Sequence, residues 1–327
     1  MITGANLVSP YVIENSIVYG SLFGLMAIGL TLTYLTTKVP NFAYGSFVTI
    51  GIYTSFTLYK VDRINPYFGT PIGFLIGGLS SVAMYLGILR VLARRGSSLV
   101  ALMISTFAVD IGFLGILQIY TDQLYYHYSK FDVKDFFPLG TDFSMFGLPG
   151  MLYVAPISLG LITAALFLLL TKTKFGVAMR ASVENPGLAR VLGIDVEKVY
   201  TFAWFLAGGF AAIAGTFYPI WLPASVNEGS IIIVETFASS VLGGLSSVYG
   251  AMVGGLIIGA SEILLTAVGV DLIGSWVSLY QKGIPLIIMV ITLLFLPQGI
   301  VSVKWRRLPR SLLSVNWRRL FRFARRH

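Results

Sequence analysis

The sequence predicts an all-α, polytopic membrane protein: a bundle of about nine spans, some of them interrupted or re-entrant, in two pseudo-repeated halves. Three observations predict it. Hydrophobic residues make up 56% of the 327 and charged residues 11%, with a mean hydropathy of +0.82, far from the balance of a water-soluble domain. Apolar runs long enough to cross a bilayer as helix recur along the chain, at about 12–36, 42–59, 70–92, 99–121, 151–171, 199–221, 231–248, 250–270 and 283–300. No polar block between them is large enough for a separate globular domain, so residues 1–303 form one transmembrane unit followed by a basic tail, 304–327.

The first run lacks the basic flank and small-residue cleavage site of a secretory signal and therefore reads as a retained span. Cysteine is absent and only two histidines occur, which removes disulfide frameworks and thiol nucleophiles and leaves almost nothing for a histidine metal site. The net charge of +9 sits in loops and tail, where anionic lipid is a better partner than nucleic acid. From Lys304 onward Arg alternates with Trp, Leu and Phe, the pattern of a segment lying on a cytoplasmic leaflet.

Orientation follows from the placement of positive charge. Arg90, Arg94 and Arg95 share one short acid-free loop. Lys172, Lys174, Arg180, Arg190 and Lys198 share a second, and the tail carries nine basic residues. All three are expected on the cytoplasmic side. Counting spans then places the N-terminus outside and the C-terminus inside. The loop 122–150, with Asp122, His127, Lys130, Asp132, Lys134, Asp135 and Asp142, faces outward, either as a solvated connector or as a partner surface.

The segment Phe175–Asp195 is a polar island within the second basic loop. Asn185 suits an N-cap, Pro186 the first helical position, and Gly193 the left-handed residue after the end. Between them Leu188, Val191 and Leu192 fall on one face, while Arg180, Glu184 and Arg190 keep the surroundings polar. Such a helix offers an apolar face to a soluble partner.

Two stretches interrupt the plain apolar helices, Thr37–Gly51 and Phe237–Gly259. Their Gly, Ser, Pro and Asn residues allow close helix approach or a break within protein-lined space. They follow an apolar lead segment in each half, a placement that points to a translocation path between repeats. Asn41, Phe42, Gly45 and Ser46 from one, with Gly243, Gly244, Ser246, Ser247 and Gly250 from the other, are the candidate lining. Three acids fall inside spans, Asp110, Glu235 and Glu262, with Glu14, Asp271 and Lys282 nearer the helix ends. The acids lack an obvious basic partner and lie on separate runs, which favours internal hydrogen bonding over ion coupling, with Glu235 at the outer mouth. No Walker A sequence, nucleophile elbow, HExxH or dinucleotide fingerprint occurs, so catalysis has no residues here and any ATP dependence belongs to another chain.

These residues resemble a known family over essentially the whole chain: the permease subunit of branched-chain amino acid ABC transporters. The family's opening GLxAIGLTLxY followed by NFAHG is matched by Gly24, Leu25, Ala27 to Leu32 and Tyr34, then Asn41 to Ala43 and Gly45, with Tyr44 in place of histidine. Its GRALRAxAENPxxAxxxGI is matched by Gly176, Ala178, Arg180, Ala181, Glu184, Asn185, Pro186, Ala189, Gly193 and Ile194, with Val177 in place of arginine. The glycine-rich run ending in Glu appears from Phe237 to Glu262 with Ser246 for a glycine, and LFRPQGL closes the match from Leu294 to Ile300 with Leu296 for arginine.

The resemblance implies an importer subunit in the cell membrane with no cofactor of its own. Its partners would be a second, paralogous permease, two cytoplasmic ATPases and an external binding protein, and this chain resembles the shorter of the paired permeases. Arg180, Glu184, Asn185, Pro186, Leu188, Ala189, Arg190 and Gly193 would couple to the ATPase. A urea or short-amide permease shares the scaffold. Outside the family, the acids leave open an ion-coupled transporter or channel.

Overall fold

The computed structural model describes residues 9–127, 135–136 and 142–300. The nine predicted apolar runs all form helices, but they differ in reach. Pro10–Thr37 (α1) is the axis of the bundle, with 89% of its most apolar window buried. Ser9 caps it, Pro10 starts it, and Lys38 stops it in the left-handed region at φ 56°, its N–H on the Tyr34 carbonyl at 2.7 Å. Tyr44–Lys60 (α2) follows a six-residue break. Gly69–Met84 (α3) continues through a π turn at Tyr85–Leu89 into Arg90–Arg94 (α4). Leu99–His127 (α5) and Met151–Lys172 (α6) flank the bundle and are mostly exposed, as lipid- or partner-facing helices are.

The polar island forms Lys174–Glu184 (α7) and Pro186–Val191 (α8). Val196–Trp221 (α9) then returns through the core, and Glu228–Gly243 (α10), Val248–Ile273 (α11) and Gly283–Phe295 (α12) follow. Among the described residues six segments have span length, Pro66–Arg94 and helices α1, α5, α6, α9 and α11. At 17, 16 and 13 residues, α2, α10 and α12 fall below the roughly 20 residues a full crossing requires.

The sequence reading is corrected at several boundaries. Asp122 and His127 belong to α5, which runs six residues beyond the expected 121, so they are not loop residues. α10 ends at Gly243 and α11 begins at Val248, where one continuous run to 248 was expected. The two breaks are also not equivalent: Lys38–Ala43 joins α1 to α2, whereas Gly244–Ser247 joins α10 to α11. In helix order the counterpart of the first break is the connection from α9 to α10, residues 222–227.

Close approach of backbones builds the core, and small residues permit it. Where α1 crosses α11, a side chain on Gly259 would put its Cβ 2.5 Å from the Gly20 nitrogen. Trp204 of α9 is fully buried, stacked on Tyr85 at 5.3 Å, and its indole N–H donates to Thr36 Oγ1 at 3.0 Å. A buried indole that found no acceptor would cost about 1–3 kcal/mol, so this bond fixes how α9 sits on α1.

The described residues of the loop between α5 and α6 are partly folded. Ser144–Met145 (β2 in chain order) and Leu148–Pro149 (β3) form a hairpin. Asp135–Phe136 (β1) pairs antiparallel with Ala224–Ser225 (β4), tying this loop to the connection between α9 and α10. Asp142 accepts from Tyr67 Oη at 2.7 Å and from the Met151 amide at 2.9 Å. Lys130, Asp132 and Lys134, and the basic tail from Lys304, lie outside the described residues.

Candidate functional site

At one end of the bundle the two basic loops meet. Glu197, in the first turn of α9, forms ion pairs with both Arg90 and Arg94. A cleft of about 360 Å³ beside them is lined by Thr36, Tyr85, Arg90, Arg94, Arg190 and Glu197. Glu197 was not among the sequence candidates. Its signal was one of two acids, with Asp195, at the end of a basic loop, which spacing alone does not single out.

The island is locally self-sufficient. Thr173 caps α7 through the Gly176 amide at 3.3 Å, and Tyr200 ties α7 to α9 by donating to the Ser182 carbonyl at 2.8 Å. Arg180 turns back onto the bundle, its guanidinium on the Leu170 carbonyl. Asn185 Oδ1 accepts from the Leu188 amide at 3.0 Å, Pro186 opens α8, and Gly193 at φ 81° closes it while the Ile194 amide reaches the Ala189 carbonyl at 3.0 Å. Ala189 is buried against the bundle. Leu188, Val191 and Leu192 are 56, 84 and 69% exposed, so the predicted apolar face points away from the protein. Glu184, Asn185, Pro186 and Arg190 are exposed around it. Asp195 caps α9 by accepting from the Lys198 amide at 3.2 Å, and that donation holds its carboxyl below the usual aspartate range.

In mid-bundle the starts of α2 and α10 meet. Gly45 and Gly229, the second residue of each helix, pack backbone on backbone. The third residues, Ser46 and Ser230, both donate to Asp110 of α5, at 2.5 and 3.0 Å. Asp110 thus joins both halves, and two helix N-termini face its carboxylate. Beside it Phe42 stacks on Phe107 at 4.0 Å and tilts on Phe237 at 5.1 Å, and its amide donates to Thr106 at 3.2 Å. Asn41 is 1% exposed, and neither side-chain polar atom has a partner.

The second break is of a different kind. Ser247 caps α11 through the Gly250 amide at 3.1 Å, Gly243 packs on Gly250, and Gly244 at φ 98° packs against Gln298 and Gly299. Ser246 is exposed. The structure thus brings Asn41, Phe42, Gly45 and Ser46 together with Asp110, and gathers Gly243, Gly244, Ser247 and Gly250 into a separate packed turn.

The remaining acids are not scattered, which corrects the sequence reading. Glu262 accepts from Gln281 Nε2 at 2.9 Å, and Glu228 accepts from Tyr218 Oη at 2.8 Å and from Lys282 Nζ at 3.1 Å. Glu235 lies within electrostatic range of Glu262, Lys282 and Glu228. Although they sit on different helices, Glu235 and Glu262 therefore share one neighbourhood with a basic group. Glu235 is 2% exposed and Glu262 1%, so neither is at an open mouth.

Comparison with known proteins places this geometry. Residues 12–293 match the family model described as branched-chain amino acid transport system / permease component. The chain is 43% identical over 296 residues to the probable branched-chain amino acid transport permease protein LivH of Methanocaldococcus jannaschii, covering 90% of this chain and 93% of that one. It is 28% identical over 305 residues to the high-affinity branched-chain amino acid transport system permease protein LivH of Escherichia coli, covering 88 and 94%. It is also 28% identical over 303 residues to the ribose import permease protein RbsC of Bacillus subtilis, covering 89 and 87%. A multi-pass helical bundle, a self-capped helix facing away from it and a family match over most of its length lead to one conclusion: the chain belongs to the branched-chain amino acid permease family of ABC transport systems.

Proposed function

We propose that this chain is one membrane subunit of an ATP-driven importer for branched-chain amino acids, with its N-terminus outside and its C-terminus in the cytoplasm. It works with a second permease, two cytoplasmic ATPases and an external binding protein. The observation that carries this reading is α8: a short helix with both ends capped by its own sequence, which presents Leu188, Val191 and Leu192 to solvent at the arginine-lined end. An isolated helix of six residues is unstable in water, so its caps and the buried Ala189 hold a shape ready for a groove on another protein. A push on α8 passes along the short connection at 192–195 to α9, and from Glu197 of α9 to α4 through Arg90 and Arg94. The starts of α2 and α10, with Asn41, Phe42, Ser46 and Asp110, form the part of the passage that such a movement opens, and the packed Gly243–Gly250 turn is carried along with the helices it joins.

Leucine uptake into proteoliposomes holding the assembled transporter tests the reading. Uptake is expected to need both the ATPase and ATP. Uptake driven by a proton or sodium gradient with no ATPase present would overturn it.

A further inference from the structure

We propose that Glu235 and Glu262 form a seat for the α-ammonium group of an aliphatic amino acid in transit, a site that rests on the cargo reading above. The neighbourhood contains three carboxylates, Glu228, Glu235 and Glu262, and one ammonium, Lys282. Glu228 has its partners in Lys282 and Tyr218. Glu262 has Gln281 on one oxygen. Its other oxygen, Oε2, and Oε1 of Glu235 have no hydrogen-bond partner, although both residues are at most 2% exposed. Buried carboxyl oxygens without donors are costly, and a ligand that brings N–H donors into this low-dielectric site removes that cost. An alkylammonium brings three donors, where a single proton supplies one. Among the described residues no grouping of acids is arranged to hold a metal ion.

The surroundings fit the rest of such a ligand. Ala238 lies one helical turn from Glu235, and Ile258 one turn from Glu262, so each shares a face with its acid. With Leu242 these two form a separate apolar cluster, walled by Ile288 and Met289 of α12. An aliphatic side chain extending from the ammonium seat meets this cluster. Lys282, half exposed on the Glu228 side, is the cation available to the α-carboxylate. Tyr19 of α1 and Tyr218 of α9 are the other titratable groups facing the acids.

Carbodiimide labelling of the full transporter in nanodiscs, read by mass spectrometry at the Glu235 and Glu262 peptides, tests the site. Leucine and 3-methylbutylamine are each expected to slow labelling at least fivefold, while 4-methylpentanoate, which lacks the ammonium, leaves it unchanged. Equal labelling with every probe, or protection by sodium chloride alone, would overturn the proposal. As a second arm, E235Q/E262Q is expected to lower ATP-driven leucine uptake at least tenfold, and unchanged uptake would count against the site. Wild-type leucine uptake without protection rejects the seat and leaves the cargo reading. Protection by the amine without leucine uptake rejects the cargo reading and leaves the seat.

Discussion

The helix Pro186–Val191 and the turn Gly244–Ser247 each use a left-handed glycine to end a helix, yet they are built on opposite principles. Gly193 at φ 81° has no atom within 4 Å of where a Cβ would stand. Gly244 at φ 98° has the Gln298 carbonyl 2.7 Å from that point. The first motif is closed by its own neighbours in sequence and shows its apolar side to solvent. The second is closed by residues more than fifty positions away, with Gly244 itself buried. A self-capped segment can meet a partner without disturbing the bundle. A tertiary-locked one can only move with the helices it joins.

Substitutions sharpen that contrast, beginning with the largest expected effect. Gly243→Val drives a side chain into the Gly250 backbone, which cannot yield cheaply, and costs several kcal/mol. The expected result is loss of a monodisperse peak in detergent chromatography, and a normal peak with unchanged melting would show that the turn is not locked. Glu184→Ala with Arg190→Ala removes exposed charges beside α8. The bundle should melt as wild type while ATP hydrolysis is uncoupled from uptake by about tenfold or more, roughly 1.4 kcal/mol of coupling. Unchanged transport would break the assigned difference between the two motifs.

Smaller effects follow. Asn185→Ala removes the cap on Leu188 and should cost about 1 kcal/mol, confined to α7 and α8, as faster amide exchange there and not in α10 or α11. Gly193→Ala meets no steric neighbour, so only the left-handed backbone penalty of about 1 kcal/mol applies. Gly244→Ala adds a clash to the same penalty and should be the more damaging of the pair by thermal melting. The smallest effect is that of pH. The Asp195 carboxyl is depressed in the folded protein, so its capping is fully present above the ordinary aspartate value and is lost only as pH falls through the lower folded value. Exchange at the Lys198 amide should therefore stay protected into acid where an unassisted aspartate would already be protonated.

The same contrast explains what the sequence could reveal. The island was legible because each of its signals is local: Asn185, Pro186 and Gly193 act within one or two turns, and the exposed face follows from helical spacing. The nine apolar runs each fell on helix for the same reason. The end of α10 was misplaced because it depends on Gln298 and Gly299, which no local pattern announces. The meeting of Ser46 and Ser230 on Asp110 spans 64 and 120 residues, and a lone acid in an apolar run does not name its partners. Glu235 and Glu262 looked scattered because sequence distance hides the packing of α10 on α11 and the return of Lys282 to Glu228.

The central claim is that α8 lies on the cytoplasmic face and is gripped by a separate ATPase. The chain contains no cysteine, so Val191→Cys supplies a unique thiol at an 84% exposed position. A membrane-impermeant maleimide should label it in inverted vesicles but not in intact spheroplasts, and bound ATPase should block the labelling. Labelling from the outer surface, or labelling that the ATPase leaves unchanged, would contradict the account.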